Sequence, residues 1–279
     1  MSQRFVRLNG CDLLLREEGP ETAPAVLLLH SLFFDGTMFD ALCAHLKGQL
    51  RFIRPDHRGQ GGSLPTALPP SVEQLAQDMV LLLKRLGISA VHVVGSSMGA
   101  YVAMQMMQQD PHLITSVSLL CCTAKAEQEP ERFLGLVEKL RHETPKQMAD
   151  IIANTMFGDA FLADPQRADQ RQACKACFAA LPTTVADAAY QVFIRKGSET
   201  ALSAYAKPVL LVGGALDRAK HPSNMKEITD LLPGSRLVII PDSGHTPAVE
   251  TPAQLADILL AWWAEAPKTD LKPSLQEAH

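Results

Sequence analysis

Three short stretches of the chain carry residue types that together can perform nucleophilic chemistry. Gly95-Ser96-Ser97-Met98-Gly99 is a Gly-x-Ser-x-Gly run that follows the apolar Val91-His92-Val93-Val94 and precedes a helical pattern, Ala100–Gln109. That strand–turn–helix setting is a nucleophile elbow, with Ser97 at its tip. Small flanks are needed because the serine sits on a sharp, strained turn across which bulky neighbours would collide. The helix that follows directs its first amides and its positive dipole end at the serine, where an anion would form. A serine hydroxyl is a weak nucleophile without a base, so a histidine is expected downstream. Arg236–Ile240 ends in Pro241-Asp242-Ser243-Gly244-His245, and Pro208–Val212 ends in Gly213-Gly214-Ala215-Leu216-Asp217. His245 would take the proton from Ser97 and return it to the leaving group, while Asp217 would fix the imidazole tautomer and stabilise its cation. An oxyanion site completes the set. The Met98 amide is one expected donor; Leu32, in His30-Ser31-Leu32-Phe33, is the other, with Phe33 as the neighbouring choice.

These residues need a scaffold that brings loop ends together. Arg4–Leu8 and Asp12–Arg16 flank Asn9-Gly10, a hairpin signal. Ala25–Leu29, Phe52-Ile53, Ala90–Val94, Ser116–Leu120, Pro208–Val212 and Arg236–Ile240 are short apolar runs of the kind a strand buried on both faces requires. Helical patterns lie between most of them. The clearest is Ser71–Leu86, with apolar residues at helical spacing from Val72 to Leu86, Ser71 as cap and Gly87 as stop. Strands alternating with helices give an α/β fold with a mostly parallel sheet covered on both faces. Ligands of such sheets bind at the carboxyl ends of strands, where Ser97, Asp217 and His245 fall. One stretch breaks the alternation: Phe133–Leu140, Pro145–Met156, Gln166–Ala180 and Thr184–Ile194 all read as helices, with no strong strand among them. The expected organisation is therefore a core of residues 1–126 and 205–266, a helical cap inserted at 127–204, and a flexible tail at 267–279.

Composition removes several function classes. Of 279 residues, 47% are hydrophobic and 20% charged, enough apolar side chain for a sizeable core. A net charge of −4 offers no basic footprint for nucleic acid. No apolar run approaches the roughly 18 residues that would span a bilayer. The chain opens without an apolar signal region, and six scattered cysteines suit a reduced cytoplasmic protein better than a disulfide framework.

The chain resembles the α/β-hydrolase superfamily over about residues 4 to 265. Beyond the elbow, the resemblance rests on Asp56-His57-Arg58-Gly59-Gln60-Gly61-Gly62-Ser63, which matches the family's Asp-x-Arg-Gly-x-Gly-x-Ser turn, and on Ser243-Gly244-His245 with Val249-Glu250-x-Pro252 behind it. Within the superfamily it is most similar to the 3-oxoadipate enol-lactonases and related small-ester hydrolases, through Asn9-Gly10, His30-Ser31-Leu32, Met38-Phe39-Asp40 and Ser97-Met98-Gly99. Two features depart from the pattern. Ser31 replaces the glycine usual after that histidine, and both tryptophans, Trp262 and Trp263, lie near the C-terminus rather than in the cap. The resemblance implies hydrolysis of a small carboxylic ester or lactone through an acyl-enzyme, with no metal, nucleotide or prosthetic group. C–C bond hydrolases of ring-cleavage products use a similar triad but usually carry a glycine-rich oxyanion loop, absent here. The same fold also serves as a non-catalytic small-ligand receptor. Epoxide hydrolases and haloalkane dehalogenases would need an aspartate at position 97.

Other polar residues have structural readings. Asp56 is expected to fix its turn, and His30 to hold the oxyanion loop by a hydrogen bond rather than move a proton. Glu127 follows the strand after which some hydrolases place their acid, yet it stands well beyond the strand's end. Cys174-x-x-Cys177 lacks a second ligand pair for zinc, Cys121-Cys122 ends a buried strand, and Met104, Met106 and Met107 are expected in the core. His57, His92 and His221 show no partner in the sequence.

Overall fold

The structure, a computed structural model, describes residues 1–46, 48, 50–128 and 130–265, with the Arg132 side chain outside the description. The expected tail at 267–279 lies outside the described residues.

Eight strands form one sheet: β1 (Ser2–Leu8), β2 (Cys11–Glu18), β3 (Ala25–Leu29), β4 (Arg51–Pro55), β5 (Val91–Ser96), β6 (Ile114–Leu120), β7 (Val209–Gly214) and β8 (Arg236–Ile240). Their order is β1-β2-β4-β3-β5-β6-β7-β8. The β1–β2 hairpin and the β2–β4 pair are antiparallel, and every later pair is parallel. Asn9 and Gly10 both take positive φ, 46° and 77°, as a two-residue hairpin turn asks of them. All residues of β3 and β7 are buried, so the sheet is covered on both faces. The sequence places every strand, although the short run Phe52-Ile53 extends to Arg51–Pro55.

The α-helices are α1 (Asp40–His45), α2 (Val72–Arg85), α3 (Met98–Gln109), α4 (Pro130–His142), α5 (Pro145–Met156), α6 (Asp159–Ala163), α7 (Ala168–Ala179), α8 (Val185–Phe193), α9 (Glu199–Ser203), α10 (Pro222–Leu231), α11 (Pro247–Glu250) and α12 (Pro252–Glu265). Ser71 caps α2 through a reciprocal capping box with Gln74, and Gly87 follows the helix at φ 67°. Helix α3 is buried at ten successive positions, Met104, Met106 and Met107 among them, and packs against α2 and the middle of the sheet. Helices α4 to α9 all fall between β6 and β7. There α5 packs on α7 and α4 on α8.

Register brings the loops together. In the parallel ladder Leu29 pairs with Gly95, Ser96 with Leu120, Leu120 with Val212, and Gly214 with Ile240. Five strands thus end level, and the residues after each emerge along one edge of the sheet.

Candidate active site

Ser97 follows β5 in a left-handed conformation, φ 50° and ψ −108°, uncommon for a non-glycine residue. Its own amide donates to the Leu120 carbonyl at 2.9 Å, and its carbonyl accepts from Ala100 and Tyr101, so the strained turn is held on both sides. The glycines around it are explained by contact distances. A Cβ on Gly95 would lie 2.3 Å from the Gly99 carbonyl oxygen, and one on Gly99 would lie 2.1 Å from the Leu29 carbonyl oxygen. Helix α3 can approach β3 and β5 this closely only without side chains there.

Asp217 lies in the turn after β7 and His245 in the loop after β8. Ala215 donates to Ile240 O and Leu216 to Ser243 O, which ties the two loops together. The three side chains meet. His245 Nδ1 is 2.8 Å from Asp217 Oδ2, and His245 Nε2 is 2.8 Å from Ser97 Oγ. Asp217 Oδ1 accepts the amides of Ala219 and Lys220, both at 2.8 Å. With the carboxylate an acceptor, Nδ1 carries the imidazole proton and Nε2 presents its lone pair to the serine hydroxyl. All three residues are buried, Ser97 being 9% exposed. In this dry setting the hydrogen bonds compete little with water.

The loop after β3 faces the same point. Phe33 is held at φ 72°, and Phe34 N–H donates back to Ser31 O. Among the described residues, neither the Leu32 nor the Met98 amide donates to a protein acceptor. His30 anchors this loop. Its Nε2 accepts from the His57 amide at 2.8 Å and its Nδ1 donates to Ser31 O at 2.9 Å, while burial lowers its pKa and keeps it neutral. Asp56 fixes the neighbouring turn by accepting Gly36 N–H and Gly62 N–H, each at 2.8 Å, and by pairing with Arg16. Glu127 lines the same cavity as His245 and forms an ion pair with Lys220 at 2.6 Å, whereas the carboxylate on His245 is that of Asp217. His92 bonds Ser116 Oγ through Nδ1, and His221 caps α10. The six cysteines are free.

Two contributors were not apparent in the sequence. Glu250 is 2% exposed and accepts the amides of Gly158, Gly244 and Thr246 at 2.8 to 2.9 Å. It thereby joins the α5–α6 turn to the His245 loop; burial raises its carboxyl pKa, opposed by these amides. Its position five residues past His245 and two before Pro252 was the only available signal. The second is the wall of the cavity at Ser97. That cavity measures about 50 Å³ and is lined by Leu32, Phe33, Ser97 and His245 on the sheet side. Phe133, Met156, Phe193, Arg195 and others line it from the segment between β6 and β7.

Residues 24–252 match the family described as the alpha/beta hydrolase fold. The chain belongs to the alpha/beta hydrolase fold family. This alpha/beta hydrolase is 24% identical to 3-oxoadipate enol-lactonase 1 of Acinetobacter baylyi, over 90% of the chain and 92% of that protein. Among solved structures it is similar to a thermophilic esterase from Thermogutta terrifontis (TM-score 0.84, 25% identity, 95% of this chain and 98% of the other). The enol-lactonase of Burkholderia xenovorans superposes with TM-score 0.88 at 23% identity, covering 94% of this chain and all of the other. No helix among the described residues is long and apolar enough to cross a membrane.

Proposed function

We propose that this alpha/beta hydrolase cleaves a small carboxylic ester or lactone through an acyl-enzyme. The observation that carries the proposal is the unbroken line of 2.8 Å contacts from Asp217 through His245 to Ser97, ending at a cavity beside two uncommitted amides. Ser97 Oγ attacks the carbonyl carbon as His245 Nε2 takes its proton. The tetrahedral oxyanion accepts hydrogen bonds from the Leu32 and Met98 amides. Collapse expels the alcohol, or opens the lactone ring, with the proton returning from His245. Water then attacks the acyl group with His245 as base, releasing the acid and Ser97. Asp217 holds the imidazole in the required tautomer throughout. No step calls for a metal or cofactor.

The enol-lactonase and esterase relatives support this reading of the substrate. The small cavity supports a short acyl portion, since sites for drug-sized ligands are typically about 300 Å³ or more. Residues 1–126 and 205–266 act as the hydrolase core, and 127–204 as a cap whose aromatic side chains bound the cavity. Six free cysteines support a cytoplasmic setting.

Labelling with a fluorophosphonate probe, mapped by peptide mass spectrometry, tests the nucleophile. Stoichiometric label on Ser97, lost in Ser97→Ala, is the expected result. Folded protein that takes no label would overturn the assignment and favour a receptor role.

A further inference from the structure

Beside the Asp217–His245 pair stands a thiol that the acyl-transfer steps do not use. Cys121 follows β6, and its sulfur lies with a carboxylate oxygen of Asp217 and a ring nitrogen of His245 in one buried group, these atoms all within 4.8 Å of one another. Among the described residues this is the one cluster of three such metal-donor side chains. The backbone puts the sulfur there. Cys121 takes φ 49°, in the left-handed region uncommon for a residue with a side chain, and its amide donates to Val212 O at 2.9 Å. Its thiol donates to Gly244 O at 3.7 Å, in the loop that carries His245. Cys122, one residue on, has its sulfur 3.9 Å from Met225 Sδ on α10. The adjacent cysteines thus divide: one packs against Met225, and the other borders the Asp217–His245 pair.

The donor set suits a soft divalent cation. Sulfur, imidazole nitrogen and carboxylate oxygen are the three ligand types of protein zinc sites, and a thiolate favours zinc and cadmium over magnesium or calcium. Bond lengths of about 2.0–2.3 Å set the ligand atoms of a tetrahedral site roughly 3.3–3.8 Å apart, so small side-chain shifts would gather these three around one ion. The charges balance as well. A thiolate and a carboxylate neutralise a dication, as burial requires, and Cys121, Asp217 and His245 are each at most 6% exposed. Burial, with the Asp217 charge beside it, holds the Cys121 thiol protonated while no cation is bound. His245 lines the Ser97 cavity, which gives an ion its route to the group.

We propose that Cys121, Asp217 and His245 bind Zn²⁺ or Cd²⁺, and that the bound ion arrests ester hydrolysis. The cation takes the lone pair of His245 Nδ1, whose proton moves to Nε2, and it takes the Cys121 thiolate, whose proton leaves to solvent. One proton is released for each ion bound. With Nε2 protonated, the ring has no lone pair for the Ser97 hydroxyl, and the nucleophile loses its base. The arrest rests on the ester-hydrolysis reading of this site, whereas binding of the ion does not. The ion is an inhibitor that a chelator removes, not a participant in the reaction.

The protein carrying Cys174→Ser and Cys177→Ser, which removes the thiol pair on α7, is the reference. Calorimetric titration with zinc chloride should show one tight site, weakened at least about 100-fold when Cys121→Ser is added. Cadmium chloride should give an ultraviolet thiolate-to-metal absorption band in the reference that is lost with Cys121→Ser. Zinc should abolish both turnover of a p-nitrophenyl ester and fluorophosphonate labelling of Ser97, and EDTA should restore them. Adding Cys121→Ser should raise the inhibitory zinc concentration by the same factor, each protein being compared with its own metal-free rate. Zinc affinity or inhibition unchanged in Cys121→Ser, or a cadmium spectrum the same in both proteins, overturns the site. A metal-free protein that turns over no ester fails the hydrolase reading, while calorimetry and the cadmium band still decide the ion.

Discussion

The two walls of the cavity are held by different means. On the sheet side, positions are set by the backbone: level strand ends, a left-handed Ser97, and glycines whose missing side chains let α3 press against β3 and β5. On the other side, the α4–α9 segment reaches the site through side chains. Glu250 accepts the Gly158 amide, Thr246 Oγ1 donates to Met156 O, Arg167 reaches the carbonyls of Val249 and Glu250, and Arg195 ties Val192 to Lys125. A backbone-built wall holds reacting atoms within tenths of an ångström, as proton transfer requires. A wall built from side chains can change its lining by substitution without disturbing that geometry. On the proposed function, chemistry would be concentrated on one wall and selectivity on the other.

Variants on each side should separate these roles. Ser97→Ala should lower ester turnover by about 10⁴-fold or more, with circular dichroism unchanged; turnover within tenfold of wild type would remove Ser97 as nucleophile. Glu250→Gln presents an amide to backbone amides that need an acceptor, so it should cost about 1–3 kcal/mol in urea unfolding. It should also lower kcat more than it raises KM, because Gly244 and Thr246 flank His245; an unchanged kcat would show the two walls to be independent. Phe193→Ala, which breaks the Phe133–Phe193 contact at 4.6 Å, should raise KM about tenfold with kcat altered less than about threefold. A loss confined to kcat would place that wall in the chemistry.

The smallest effect concerns the far end of β5. Burial lowers the His92 pKa from its ordinary 6.5 to about 4, so the folded protein keeps this ring neutral where the unfolded chain is protonated. The unfolded state then binds more protons, and stability present above pH 6.5 is lost as pH falls towards about 4. His30 and His57 are lowered in the same sense. Thermal midpoints across that range should fall, and fall less in His92→Asn; an equal slope in the variant would rule His92 out as a contributor.

The sequence by itself determined the alternation of strands and helices, the helical interruption between β6 and β7, and the order of Ser97, Asp217 and His245 at three strand ends. Each is a local signal: apolar period, capping residues, glycines at a turn. Strand ends in a parallel sheet leave few places for a ligand to bind. The roles of Asp56 and His30 were legible for the same reason, since both stand in short turns. Only the tertiary structure decided who meets whom across the fold: Arg16 with Asp56, Glu250 with Gly158, Tyr101 beside Arg195, and how little space remains above Ser97. Such pairings join residues tens of positions apart on different elements. Burial, charge compensation and cavity size are properties of the packed whole, so a pattern read along the chain carries no trace of them.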